Sequence, residues 1–193
     1  MNDKIPHLIH FIWLGRGEKS DKIKKCMESW KKALPNYKFI EWNEDNFNIN
    51  YNKFTRQSYD AKKYAFTSDV IRLWALYNYG GIYVDTDVMI YKPLDEFLNE
   101  PAFTGFESIG YPVTATMGAQ KGNPLIKELL DYYNNRDFEI KTNTVIISEI
   151  LASHGIDRNK NEIQKIKDIT IYPREYFNDK DGYTEHCFQA SWV

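Results

Sequence analysis

One segment near the middle of the chain constrains the fold more than any other. A helix is predicted over residues 60–79, because apolar residues recur there at the spacing of one helical face. The pair Gly80-Gly81 ends it, since glycine tolerates the left-handed backbone of a helix C-terminus. The strand formers at 82–84 then lead directly into Asp85 and Asp87. This order indicates an α/β unit with polar chemistry at the end of a buried strand.

Asp85 and Asp87 are candidate ligands of a divalent cation. Strand alternation puts residues two apart on one face, so both carboxylates are expected to point the same way. Two neighbouring carboxylates repel each other unless a cation lies between them, and hard oxygen donors suit Mn²⁺ or Mg²⁺. A bare Asp-x-Asp pair is also common in solvated turns. The apolar flanks at 82–84 and 88–90 favour the metal site, because buried strands rarely carry paired acids.

The rest of the chain alternates strand-like and helical segments. A first strand is predicted at 7–13 and a second at 37–42, with a helix between them that Ser20 caps and Pro35-Asn36 ends. A loop with a short helix is predicted for the polar stretch 43–52. Further strands are predicted at 102–106 and 113–118, and further helices near 124–134 and 143–153. The alternation predicts α/β architecture around a central sheet, and with no repeat or linker we expect one domain over residues 1–193.

Composition excludes several classes of protein. Hydrophobic residues make up 42% and charged residues 27%, which argues against a disordered or membrane-protein composition. The net charge of −2 argues against binding nucleic acid, and the 16% of aromatic residues suits stacking on bases or sugars. There is no secretory h-region or spanning apolar run, and Cys26 and Cys187 read as free thiols. We expect a soluble cytoplasmic protein, with peripheral contact at the inner face of the cell membrane left open.

The central block is similar to a known signature. Ser68-Asp69-Val70-Ile71-Arg72-Leu73 and the run from Leu76 to Asp87 resemble the sugar-binding region of the DXD-motif glycosyltransferases. Relatives in that family include yeast initiating α-1,6-mannosyltransferase, bacterial capsular polysaccharide transferases and, distantly, the glucosylating clostridial toxins. The run from Ile5 to Gly15 resembles the family's first strand, and His186 with Ser191-Trp192 resembles its C-terminal element.

This resemblance implies a GT-A-type fold, with a central mixed sheet flanked by helices, in which a metal and a nucleotide-sugar meet at the Asp-x-Asp pair. Asp69 would bond ribose or donor-sugar hydroxyls, and Arg72 would contact the sugar or a phosphate. The alternative for both is an i,i+3 salt bridge on a solvated helix face. Trp13 would stack on the base, unless it is an ordinary core tryptophan. The other candidate substrate-binding residues are Ser68, Tyr83, Asn143, Ser191 and Trp192; Asn143 also fits a simple helix N-cap with its neighbours.

The resemblance also implies the ligands of the cation, which would be Mn²⁺ or Mg²⁺. Asp87 would be the firmer ligand and Asp85 the weaker one, closer to the ribose and donor sugar. His186 and Ser191 would complete the site, with Glu185 as an alternative carboxylate.

The implied activity is that of a retaining hexosyltransferase. It would move a sugar from a UDP-hexose, or alternatively from GDP-mannose, to a glycan or lipid-linked oligosaccharide in surface (capsular) polysaccharide synthesis. A metal-dependent nucleotidyl or phosphoryl transferase is the other candidate, although no Gly-rich phosphate-binding loop follows a strand. A glycoside hydrolase would hold its two carboxylates about 5–9.5 Å apart on separate elements, which two residues of one strand do not match.

Overall fold

The structure is a computed structural model that describes residues 4–113, 115–166 and 168–188. Within these ranges the helices are α1 (Asp21–Ala33), α2 (Lys53–Asp60), α3 (Tyr64–Tyr79), α4 (Pro124–Asp131), α5 (Asn143–Ser153) and α6 (Arg174–Phe177). The strands are β1 (Leu8–Ile12), β2 (Lys38–Trp42), β3 (Gly81–Val84), β4 (Val88–Ile90), β5 (Ala102–Gly105), β6 (Thr116–Ala119), β7 (Gln164–Ile166), β8 (Ile169–Tyr172) and β9 (Thr184–His186). A 3₁₀ turn occupies Asp95–Phe97.

Seven of these strands form one mixed sheet in the order β2-β1-β3-β6-β5-β8-β7. β1 runs parallel to both β2 and β3, whereas β6 is antiparallel to β3 and β5. β8 is parallel to β5 and antiparallel to β7. β4 and β9 pair separately as a small antiparallel sheet. The predicted central mixed sheet with flanking helices is therefore confirmed.

The predicted helix over 60–79 is wrong at its start. The chain forms α2, which ends at Asp60, and then begins α3 at Tyr64. Lys62 lies between them with a φ of 57°, a left-handed conformation that cannot continue a right-handed helix. The short helix expected within 43–52 is also absent from that described stretch, which forms turns; the next helix starts at Lys53 because the Asn52 side chain accepts a hydrogen bond from Thr55 N at 2.8 Å.

The predicted glycine stop after α3 is confirmed, and it also positions β3. Gly80 and Gly81 have φ values of 66° and 113°. A Cβ on Gly81 would lie 2.8 Å from the carbonyl oxygen of Leu8 and 2.9 Å from His10 Nε2. The absence of a side chain at Gly81 therefore lets β3 lie beside β1 in the sheet.

β3 is buried on both faces of the sheet. Tyr83 belongs to a hydrophobic cluster that packs α2, α3, α4 and α5 on one side, while Ile82 and Val84 belong to the cluster with α1 and α6 on the other. The acids that follow Val84 thus emerge from the centre of the molecule. None of the helices in the described ranges is long and apolar enough to cross a lipid bilayer.

Candidate active site

Asp85 and Asp87 lie in a turn between β3 and β4. Asp85 N donates to Ala115 O at 2.9 Å, and Val88 N donates back to Asp85 O at 3.1 Å, which closes the turn. Both residues lie outside the strands, so the strand alternation that predicted a shared face does not apply. The turn nevertheless directs both carboxylates to the same place, because both line one cavity of about 650 Å³.

His186 joins the two acids from a distant part of the sequence. It lies on β9, whose pairing with β4 sets His186 opposite Val88 and beside Asp87. Its Nε2 lies 3.3 Å from Asp87 Oδ1, and its Nδ1 lies 3.4 Å from Glu107 Oε1. Burial lowers the pKa of His186, but the carboxylates of Asp87, Glu107 and Asp85 outweigh it and raise that pKa to about 9.

One ligand atom each from Asp85, Asp87 and His186 can be chosen so that all three lie within 4.8 Å of one another. Two carboxylate oxygens and an imidazole nitrogen suit Mn²⁺, and the carboxylates suit Mg²⁺ as well. The chemistry of these residues therefore fits the cation implied by the sequence. The fourth expected ligand, Ser191, lies outside the described residues, as does Trp192. Glu185 is not part of this group, and its carboxylate accepts a hydrogen bond from Tyr91 Oη at 2.6 Å.

Asp69 and Arg72 form a buried ion-pair network with Asp85. Arg72 Nη2 lies 3.1 Å from Asp69 Oδ1 and 3.4 Å from Asp85 Oδ1. The side chains of Arg72 and Asp69 are only 10% and 9% exposed, so the pair is not a solvated helix-surface salt bridge. Burial raises the pKa of Asp69 to about 7, against the opposite effect of the neighbouring guanidinium. A charged network of this kind beside a cavity is typical of a functional site.

Tyr83 contacts two members of this network, Arg72 and Asp85. The Arg72 guanidinium carbon lies 4.4 Å from the centre of the Tyr83 ring, and the Tyr83 hydroxyl donates to Asp85 Oδ1. Because burial raises the pKa of Tyr83 well above its usual value, the hydroxyl stays protonated and acts as a donor. Asp85 is thus held by two groups, the guanidinium of Arg72 and the hydroxyl of Tyr83.

The remaining predicted substrate-binding residues within the described ranges line the same cavity. Trp13 is one of them, and its indole N–H donates to Gly17 O at 2.7 Å. Ser68 lies one helical turn before Arg72, 3.5 Å from Nη2 of that side chain. Asn143 is the first residue of α5; the preceding Thr142 occupies the cap position, but its side chain makes no capping hydrogen bond.

Glu107 is an acidic residue beside the proposed metal ligands that the sequence reasoning missed. It lies two residues after the end of β5, and it lines the cavity beside His186. An acid directly after a predicted strand was the available signal, although a lone glutamate at such a place is common.

Comparison with known proteins agrees with the resemblance seen in the sequence. Residues 20–104 match the family described as glycosyltransferase sugar-binding region containing DXD motif. Inositol phosphoceramide mannosyltransferase 3 of Schizosaccharomyces pombe is 31% identical over 131 residues, which cover 65% of this chain and 36% of that protein. An uncharacterized glycosyltransferase of Acanthamoeba polyphaga mimivirus is 26% identical over 215 residues, covering 98% of this chain and 84% of the viral protein.

A solved structure supports the fold along nearly the whole chain. The glycosyltransferase involved in the glycosylation of the major capsid of PBCV-1 superimposes with a TM-score of 0.56 at 14% identity, covering 96% of this chain and 95% of that one. The GT-A-type fold is thereby confirmed. The chain spans 36% of the length of the fungal relative, so the resemblance to that protein concerns only a part of it. The segment from residue 20 to residue 104 therefore matches the DXD-containing sugar-binding region of glycosyltransferases, in agreement with the resemblance seen in the sequence.

Proposed function

We propose that this chain transfers a hexose from a nucleotide-sugar to a hydroxyl group of a glycan or lipid-linked acceptor, with a divalent cation, and that it does so as one domain. The observation that carries the proposal is the convergence of Asp85, Asp87 and His186 in one cavity with the Asp69–Arg72 pair. The cluster offers cation ligands, and the pair offers a fixed charge beside them. Those are the two features that a departing diphosphate requires.

Asp87, Asp85 and His186 would hold Mn²⁺ or Mg²⁺. When bound, the cation acts as a Lewis acid that stabilises the negative charge developing on the nucleoside diphosphate. The two carboxylates have different surroundings, which supports unequal roles. One oxygen of Asp85 already faces Arg72 and Tyr83, so Asp85 suits a bridge to the donor sugar and ribose. Asp87 faces His186 on the side of the proposed metal and suits the firmer ligand.

The chain's own residues would bind and orient the donor. Trp13 offers a ring face for the base, and Ser68 and Asn143 offer polar groups along the cavity wall. Arg72 holds positive charge near the sugar or a phosphate, and Asp69 fixes its position. The bond from the anomeric carbon to the phosphate oxygen breaks, and a bond to the acceptor oxygen forms. The acceptor proton leaves with the nucleoside diphosphate, and we propose retention of configuration.

The donor is either a UDP-hexose or GDP-mannose. The resemblance to bacterial capsular polysaccharide transferases favours a UDP-hexose. The name of the fungal relative, an inositol phosphoceramide mannosyltransferase, supports mannose and a lipid acceptor as the second candidate. In our proposal the acceptor is an intermediate of surface polysaccharide synthesis. A lipid-linked acceptor would bring the protein to the inner face of the cell membrane.

A donor screen tests the proposal. UDP-glucose, UDP-galactose, their N-acetyl forms and GDP-mannose are each added with Mn²⁺ or with EDTA, and thermal unfolding and nucleotide release are measured. The true donor should stabilise the fold by about 2.7 kcal/mol at 100 times its dissociation constant, and only with the cation. Release of UDP or GDP supports glycosyl transfer. Release of pyrophosphate would instead indicate a nucleotidyl transferase, and cleavage of glycosides without a nucleotide would indicate a hydrolase.

A further inference from the structure

A second cavity adjoins the proposed donor site. Its volume is about 780 Å³, and it opens beside the segment that follows β5 and around α6. Two of the residues that line it, Glu107 and Phe188, also line the first cavity. The other lining residues are Ser108, Ile109, Asn161, Arg174, Glu175 and Asn178.

The wall between the two cavities is held by hydrogen bonds and ring contact. Asn178 is buried, and its side chain donates to Glu107 O at 3.1 Å and accepts from His186 N at 3.3 Å. The ring centres of His186 and Phe188 lie 4.0 Å apart. A molecule in the second cavity would therefore lie one side chain away from a proposed metal ligand.

The second cavity combines polar groups with an apolar edge. Asn161 donates to both carboxylate oxygens of Glu175, at 3.1 and 3.0 Å, so these two side chains hold each other in place. The guanidinium of Arg174 makes no ion pair or hydrogen bond with any residue in the described ranges, which leaves its donors available. Ile109 and Phe188 are 71% and 59% exposed and provide apolar surface at the rim.

Such a combination suits a sugar ring. Hydroxyl groups around the edge of a sugar bond amides, carboxylates and guanidinium groups, while its C–H face packs on an apolar or aromatic side chain. We propose that this second cavity is the acceptor subsite, that it binds a terminal sugar or cyclic polyol, and that Phe188 and Glu107 border the passage of its hydroxyl to the donor. The inference rests on the proposed function.

The position of the cavity supports this assignment. Transfer requires the attacking oxygen within about 3–3.5 Å of the anomeric carbon, so the acceptor must bind directly beside the donor. The second cavity shares Glu107 and Phe188 with the cavity that Asp85, Asp87 and His186 line. It leaves Trp13 and the Asp69–Arg72 pair to the donor alone.

The test separates binding of the acceptor from binding of the donor. Ile109→Trp would fill the second cavity from its rim, and Arg174→Ala would remove the unpaired guanidinium. Ile140→Trp is the matched control, because Ile140 is 77% exposed and lines neither cavity. Each variant is assayed with Mn²⁺ for hydrolysis of the nucleotide-sugar without an acceptor, and for transfer to methyl glycosides of glucose, galactose and mannose and to myo-inositol.

We expect Ile109→Trp to abolish saturable transfer, and Arg174→Ala to raise the acceptor KM by about tenfold or more, the loss typical of one charged hydrogen bond. Donor hydrolysis should stay within about twofold of the wild type in all three variants, well below the tenfold step that corresponds to one lost interaction. Ile109→Trp with an unchanged acceptor KM would overturn the inference, as would a wild-type protein that binds none of these acceptors by saturation-transfer NMR. A wild-type protein without donor hydrolysis or donor-dependent stabilisation would instead overturn the proposed function itself, and the inference with it.

Discussion

Replacing Arg72 by methionine should destabilise the fold far more than replacing a surface arginine. The Arg72 guanidinium lies 3.1 Å from Asp69 and 3.4 Å from Asp85, and both partners would lose their counter-charge. Removing one member of a buried ion pair costs about 3–5 kcal/mol, because it leaves a desolvated charge without a partner. Asp85 is 25% exposed, so water compensates part of its loss. We therefore expect the lower end of that range, about 3 kcal/mol.

Urea denaturation followed by tryptophan fluorescence measures the free energy of unfolding of each variant. Arg56→Met is the matched control, because Arg56 pairs with Asp60 on α2 while both side chains are about half exposed, at 46% and 54%. That control should lose less than about 1 kcal/mol. The double variant Asp69→Asn with Arg72→Met should lose less than the sum of its two single variants, since neighbouring charges do not act additively. A loss below about 1 kcal/mol for Arg72→Met would refute the reasoning.

Three further predictions concern the proposed metal site, a buried histidine of β1 and the core. Glu107→Leu should weaken Mn²⁺ binding, titrated by EPR, by roughly 10- to 100-fold, because it removes the carboxylate that lies 3.4 Å from the imidazole of His186, the proposed ligand. Glu185→Leu is the matched control, because Glu185 lies on the same strand as His186 but its carboxylate accepts a hydrogen bond from Tyr91. It should leave the affinity for Mn²⁺ unchanged. The neutral ring of His10 donates to a backbone carbonyl at 2.7 Å and accepts from an indole at 3.1 Å, and burial lowers its pKa. Below about pH 6.5 the unfolded state therefore takes up a proton on His10 more readily than the folded state, so the free energy of unfolding should fall as the pH drops below that value. A His10→Asn variant with the same pH slope would contradict this. Gly118→Ala should cost about 1–3 kcal/mol in chemical denaturation, since its Cβ would lie 2.1 Å from the Phe103 ring, and Phe103→Leu in the same protein should restore part of the loss.

Local signals in the sequence predicted the elements around the site well. The Ser20 cap of α1 is confirmed, because its hydroxyl accepts from Ile23 N at 3.3 Å as its position before an apolar-periodic run indicated. The break between α2 and α3 was missed, because Lys62 adopts its left-handed conformation without a glycine or proline to mark it. The helical propensity of residues 61–63 was overridden there by the packing of two separate helices.

Contacts between distant residues were harder to predict. The pairing of β4 with β9 brings residues near 88 and 186 together, and no short-range pattern encodes such a pairing. His186 was expected at the site only from the family resemblance, and Glu107 was not expected there. The side-chain direction of Asp85 and Asp87 was predicted from strand alternation, whereas a turn produces it. The residue types at the site were therefore readable from the sequence, but the geometry required the tertiary fold.

The central claim is that Asp87, with Asp85 and His186, holds a cation that glycosyl transfer requires. The most direct measurement is release of the nucleoside diphosphate from the donor by the wild type and by Asp87→Asn, each with Mn²⁺ and with EDTA. Asp131→Asn, which is outside both cavities, serves as the folded control. We predict release only by the wild type and the control, and only with Mn²⁺, while all three proteins unfold at similar temperatures. Undiminished release by Asp87→Asn, or by the wild type in EDTA, would contradict the account.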